Sequence, residues 1–134
     1  MQGTPRILVA DDDRTLLTSL STRLRAAGFE VRCAQDGYQA VHLASRWKPD
    51  VAILDINMPA GDGFSVHERM ESLRGGGLKG VPIIYLTGER SARVALAAKA
   101  HGAFALVHKP YDARELIETL DAAIAGPRDV VEIN

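Results

Sequence analysis

The feature that most restricts this chain is a repeated change of hydrophobic period. A short apolar run stops at a polar residue, and the following stretch carries its apolar residues every three or four positions. Arg6 to Ala10, with Ile7, Leu8 and Val9, is followed by Asp11-Asp12-Asp13; Val51 to Leu54 runs into Asp55; Val81 to Leu86 delivers Thr87; Phe104 to Val107 leads to Lys109. Runs without alternation mark strands covered on both faces, as in parallel sheets. Phe29, Val31 and Cys33 alternate with polar or small neighbours and mark a half-covered strand near an edge. Cys33 is expected to be a small core residue there.

The intervening stretches read as helices. Leu17, Leu20, Leu24 and Ala27 recur at helical spacing before Gly28, and Val41 and Ala44 follow Asp36-Gly37 and precede Lys48-Pro49. Val66, Met70 and Leu73 share a face before Gly75-Gly76-Gly77, an alanine-rich helix runs from about Ser91 to His101, and Leu116, Leu120 and Ile124 form the inner face of a last helix ended by Gly126-Pro127. Asp13 and Asp36 stand where N-caps are needed, and Asp112 with Glu115 has capping-box spacing. Five strands alternating with five helices predict an α/β fold, a doubly wound parallel sheet with right-handed crossovers.

At 134 residues the chain is one domain. Residues 1–5 form a short extension, 6–125 the domain and 126–134 a tail. The charge balance of −1 gives no basic excess to recommend nucleic acid as a partner. No stretch approaches the roughly 20 apolar residues of a membrane span, and the start lacks a signal peptide's apolar segment, so the chain reads as cytoplasmic. Arg74 to Gly80 reads as a mobile surface loop, and its glycines follow a helix, which excludes a dinucleotide fingerprint. His42, His67, His101 and His108 sit at no ligand spacing and read as surface or packing residues, with His108 near the site.

In an open α/β sheet, sites form outside the carboxyl ends of the strands. Those ends carry Asp11 and Asp12, Asp55, Thr87 and Lys109. A single aspartate after a strand is most simply a helix cap, which suits Asp13, Asp36 and Asp112. Three converging carboxylates repel one another and need a cation. Magnesium, a hard ion that prefers oxygen ligands, is the simplest choice. The set describes a phosphoryl-transfer site with Asp55 as nucleophile, Asp12 and Asp55 on the metal, Asp11 acting through a water, and Lys109 and Thr87 receiving the phosphoryl oxygens.

The chain resembles the receiver domain of two-component response regulators, and the chemotaxis-type regulators among them, from about Arg6 to Ala125. The resemblance rests on Ile7-Leu8-Val9-Ala10-Asp11-Asp12-Asp13, Asp55-Ile56-Asn57-Met58-Pro59 with Asp62-Gly63, Leu86-Thr87-Gly88 and Lys109-Pro110-Tyr111. It implies a flavodoxin-like strand order 2-1-3-4-5, a sensor histidine kinase or histidine phosphotransfer protein as donor, the Asn57 backbone carbonyl as a further metal ligand, and a cis Lys109-Pro110 bond. It makes the chain a phosphoaccepting signalling domain that catalyses only its own phosphorylation and dephosphorylation. Asn57 and Glu89 would flank the phosphoryl group and tune its hydrolysis, giving short-lived phosphorylation. Output would pass through the Ser91 to Ala125 face to a protein target or a second copy. One position departs from the family: the switch aromatic three residues before the lysine is Leu106, expected to pack under the last two helices.

Two other readings compete. Asp11-Asp12-Asp13-Arg14-Thr15 fits the Asp-x-Asp-x-Thr motif of haloacid-dehalogenase-type phosphatases, with Asp11 as nucleophile, but no later acidic pair follows Lys109, and Asp55 is left without a role. A receiver-like docking module without phosphorylation is the third.

Overall fold

The computed structural model describes residues 3–72 and 80–126. The elements are β1 (Arg6–Ala10), α1 (Arg14–Ala26), β2 (Glu30–Ala34), α2 (Gly37–Trp47), β3 (Val51–Asp55), α3 (Gly63–Ser72), β4 (Ile83–Thr87), α4 (Ala92–Ala100), β5 (Ala105–His108) and α5 (Ala113–Ile124). The strands form one sheet in the order β2-β1-β3-β4-β5, with every pairing parallel. The strand that alternates in sequence is therefore an edge strand, and the uniformly apolar β3 lies at the centre with all five residues buried.

Each sheet face has its own core. Ile7, Val9, Ile53, Ile84 and Leu86 pack on one side against Leu17, Leu20 and Leu24 of α1 and Leu116 and Leu120 of α5. On the other side Leu8, Leu54 and Tyr85 pack against Val41 of α2, Val66 and Met70 of α3 and Val94 of α4. Burying one such aliphatic side chain stabilises the fold by roughly 1.5–3 kcal/mol. Helix starts follow the expected chemistry. Asp13 accepts from the Leu16 amide, Asp36 from Gln39, Ser91 from Val94, and Asp112 from Arg114 and Glu115. Gly28 follows α1 at φ 100°, a left-handed position that suits a glycine.

Several local expectations are corrected. Cys33 is exposed, while Ala34 is buried: Ala34 packs under α2, whereas the thiol lies on the α1 side near Ser21 and Arg25, at the margin of an edge strand that α1 covers only in part. Ala27 is exposed as the C-cap of α1. Ile124 packs against the core as expected but is only partly buried, and Ala123 is the buried residue in the last turn of α5. Leu106 packs on the α2–α3–α4 side only, because neighbours along a strand face opposite ways and Ala105 already points toward α5. The Pro82 carbonyl already pairs with the Ala52 amide, so the chain is extended before β4 starts at Ile83. Leu73, the triglycine, the Arg74 to Gly80 loop apart from Gly80, and the tail beyond Gly126 lie outside the described residues.

A polar wedge fills the space between α3, β4 and α4. His67 is 4% exposed, and its Nδ1 shares a 2.7 Å hydrogen bond with the hydroxyl of the fully buried Tyr85. Phe64 stacks on His101 at 4.7 Å and meets Tyr85 edge-on at 4.8 Å. His101 Nδ1 donates to the Ala97 carbonyl at 2.9 Å, and its Nε2 lies 3.1 Å from the Glu68 carboxylate. Only an imidazolium donates from both nitrogens at once. Burial lowers the pKa of His67, whereas the bond to Ala97 and the nearby Glu68 raise that of His101.

Candidate functional site

Register alone assembles the site. Ala10 pairs with Leu54, so the next residues, Asp11 and Asp55, emerge side by side from β1 and β3. Asp55 pairs with Leu86 and Thr87 with His108, which sets Thr87 and Lys109 one step further out on β4 and β5. Five residues separated by up to 98 sequence positions thus meet on one rim, as parallel strands require.

Asp11 is fully buried, Asp55 is 5% exposed and Thr87 is fully buried, while Asp12 is exposed. One ligand oxygen from each of Asp11, Asp12 and Asp55 lies within 4.8 Å of the others. Lys109 Nζ reaches into the group, 2.8 Å from Asp11 Oδ2 and 3.6 Å from Asp55 Oδ2. Despite that short distance, Asp11 Oδ2 receives no aligned hydrogen bond. Two of the acid oxygens take backbone donors: Asp13 N–H to Asp11 Oδ1 at 2.9 Å and Asn57 N–H to Asp55 Oδ1 at 3.3 Å.

Electrostatics follow from this geometry. Burial, with the Asp11 charge next, raises the Asp55 pKa from 3.8 to about 6, against the opposing pull of Lys109 and the Asn57 amide. For Lys109 burial acts downward, but the Asp11 and Asp55 carboxylates outweigh it and hold the ammonium above its ordinary value. Three acids facing one ammonium leave a formal charge of −2. With two of the three carboxylates buried and sharing a single ammonium, this all-oxygen donor set fits a hard divalent cation.

The loops are set by close backbone approach. Gly63 N–H donates to the Ile56 carbonyl at 3.0 Å, and a Cβ on Gly63 would lie 2.7 Å from the Asp55 carbonyl oxygen. Gly37 is similar: its amide donates to Pro59 O at 3.0 Å, and a Cβ there would run into the Ala60 and Gly61 carbonyls. These two glycines position the loop after Asp55, a role that sequence spacing does not disclose. Across the rim, Thr87 Oγ1 accepts from Glu89 N–H at 2.9 Å, which leaves its own proton free to donate. Lys109-Pro110 is cis, as the resemblance implied. His108 carries a buried Nδ1 without a partner. Asp13 caps α1 through Leu16, so the second aspartate of the phosphatase motif is engaged as a helix cap.

A doubly wound sheet with this strand order and an acidic rim defines a flavodoxin-like α/β protein with a site at the strand ends. The family model for the response regulator receiver domain matches residues 7–121. The chain belongs to the response regulator receiver family. It is 37% identical over 122 residues to the transcriptional regulatory protein PrrA of Mycobacterium leprae, covering 91% of this chain and 51% of that one. With the regulatory protein AtoC of Escherichia coli the identity is 37%, over 87% of this chain and 24% of AtoC. The chain thus spans about half the length, or less, of the curated relatives it matches. Among solved structures, the chemotaxis response regulator CheY4 of Vibrio cholerae superposes with a TM-score of 0.82 at 32% identity, covering 90% of this chain and 99% of that one. A putative response regulator from Chloroflexus aurantiacus gives 0.84 at 30% identity, covering 92% and 99%. No helix among the described residues is long and apolar enough to cross a membrane.

Proposed function

We propose that Asp55 accepts a phosphoryl group from a phosphohistidine on a sensor kinase or histidine phosphotransfer protein, in the cytoplasm, and thereby changes a protein-binding surface. The observation that carries this is the pairing of Asp55 with Lys109 inside a cluster of three carboxylates, at a strand end where the side chain keeps a small opening to solvent. An ionised Asp55 oxygen forms a bond to phosphorus as the bond from phosphorus to the donor imidazole nitrogen breaks. The electron pair leaves with the ring, which takes up a proton. Lys109 neutralises the phosphoryl oxygens, and the free Thr87 proton donates to one of them.

Asp12, Asp55 and the Asn57 carbonyl would hold magnesium, with Asp11 acting through a water, and the ion would supply charge neutralisation for both the acid cluster and the incoming group. Asn57 and Glu89 flank the acceptor and set how long the acyl phosphate survives. Output runs through the Ser91 to Ala125 face, with Leu106 in the switch position. Phosphorylation with acetyl phosphate and magnesium, followed by peptide mass spectrometry, tests the reading. Label on Asp55 that disappears in Asp55→Asn is the expected result. Label on Asp11 would favour the phosphatase, and none at all the docking module.

A further inference from the structure

Two residues beyond Thr87, the Glu89 carboxylate, assigned above to the lifetime of the acyl phosphate, takes no part in the transfer step itself and is bonded to two side chains. Its Oε2 accepts from the Ser91 hydroxyl at 2.7 Å and from Arg93 Nη2 at 3.2 Å. The Ser91 oxygen meanwhile accepts from the Val94 amide at 3.2 Å as the N-cap of α4. Glu89 is also tied to the site through its backbone, because its amide donates to Thr87 Oγ1. The backbone thus bonds to the Thr87 hydroxyl while the side chain bonds to the N-cap and first turn of α4.

We propose that Ser91 and Arg93 are positioning residues that pin the Glu89 carboxylate to the first turn of α4, keeping its charge out of the path of the incoming phosphoryl group. The reason is electrostatic. A phosphodonor approaching this rim is an anion and already meets three carboxylates. A fourth, swinging free two residues from Thr87, would repel it, whereas one held by a guanidinium and a hydroxyl is partly neutralised and fixed at a distance. Arg93 is 81% exposed, so its pairing with Glu89 adds little to fold stability. Its effect falls on the rate at which the site takes up an anion. This inference rests on Asp55 being the acceptor.

The experiment measures the initial rate of Asp55 labelling by acetyl phosphate with magnesium, at low and high salt, in wild type, Arg93→Ala, Ser91→Gly and Ser91→Thr. Glycine is a tolerated N-cap that removes the hydroxyl without adding charge. Arg93→Ala and Ser91→Gly are expected to slow labelling by about three- to tenfold at low ionic strength, and the difference shrinks at high salt. Ser91→Thr, which keeps the hydroxyl, restores the wild-type rate. In a Glu89→Gln background, neither Arg93→Ala nor Ser91→Gly has a further effect. Equal slowing with and without Glu89 would overturn the proposal, since the loss would then come from Arg93 as a general anion attractor or from a loosened α4. Wild-type rates in all variants would overturn it as well while leaving the acceptor assignment standing. Failure to label wild type would remove both.

Discussion

The rim around Asp55 and the wedge between α3, β4 and α4 both bury ionisable side chains, and they differ in how those groups are compensated. In the wedge every buried donor or acceptor described above has a counterpart: His67 and Tyr85 bond to each other, and His101 lies between Ala97 and Glu68. At the rim Asp11 and Asp55 share one ammonium, and an Asp11 oxygen has no hydrogen bond. The wedge adds stability, while the rim stores unfavourable energy that a cation can relieve. Truncating one group should therefore have opposite signs in the two places.

Removing a rim charge gives the largest effect. The folded state holds the Asp55 proton more tightly than the unfolded chain does, so its contribution is most favourable below pH 3.8 and is lost as pH rises through about 6. About two pKa units correspond to about 3 kcal/mol. Asp55→Asn, neutral at every pH, is expected to be more stable than wild type by about that amount near pH 7.5 in a chelator, and about equal below pH 4. Chemical denaturation across pH tests this. Saturating magnesium should stabilise wild type and leave the variant almost unmoved, narrowing the gap. An Asp55→Asn protein no more stable than wild type in chelator would break the contrast at its stronger end.

Disturbing the frame rather than the charge comes next. In Gly63→Ala the new methyl would meet the Asp55 carbonyl, so α3 or the loop has to shift at a cost of about 2 kcal/mol. Magnesium affinity should fall with it, because the loop also carries Asn57. Unchanged affinity, read by metal titration, would show that the rim tolerates displacement of its support.

In the wedge the sign reverses. Tyr85→Phe keeps the ring packed against Phe64 but leaves His67 Nδ1 buried without its partner, and should destabilise by about 1–2 kcal/mol. A neutral or stabilising outcome would mean that the wedge, like the rim, is not fully satisfied.

The same contrast governs how much could be read from the chain. The meeting of Asp11, Asp12, Asp55, Thr87 and Lys109 was legible because parallel register converts equal places after successive strands into one spatial cluster, whereas the strand order followed only from the resemblance to the receiver family. The helix caps were legible because Asp13, Asp36 and Asp112 act locally. Cys33 was misread because alternation shows which residues share a face but not how far a helix covers an edge strand. The His67–Tyr85–His101 wedge escaped because it joins residues 18 to 34 positions apart by shape and hydrogen bonding, with no fixed spacing. Gly37 and Gly63 look like ordinary turn residues until the backbones they approach are in view. Leu106 differs from both: its departure from the aromatic was visible, and only the structure shows that it faces α4 and not α5.

The smallest effect belongs to the exposed end of the wedge. His101 has a raised pKa in the folded state, first through Ala97 and then through Glu68, with Asp62 adding to it and burial opposing. A raised cationic group stabilises fully below its unfolded value near 6.5, and that contribution is lost as pH climbs through the folded value. Glu68 is 68% exposed, so water screens the pair and its worth is about 0.3–0.5 kcal/mol. Glu68→Gln should therefore be slightly less stable than wild type at pH 6 and indistinguishable from it well above neutrality. In an NMR titration the His101 midpoint should drop in this variant but stay above the ordinary histidine value, because the Ala97 carbonyl still accepts from Nδ1. A midpoint that does not move would assign the whole shift to that carbonyl and leave α3 and α4 joined by packing around Phe64 alone.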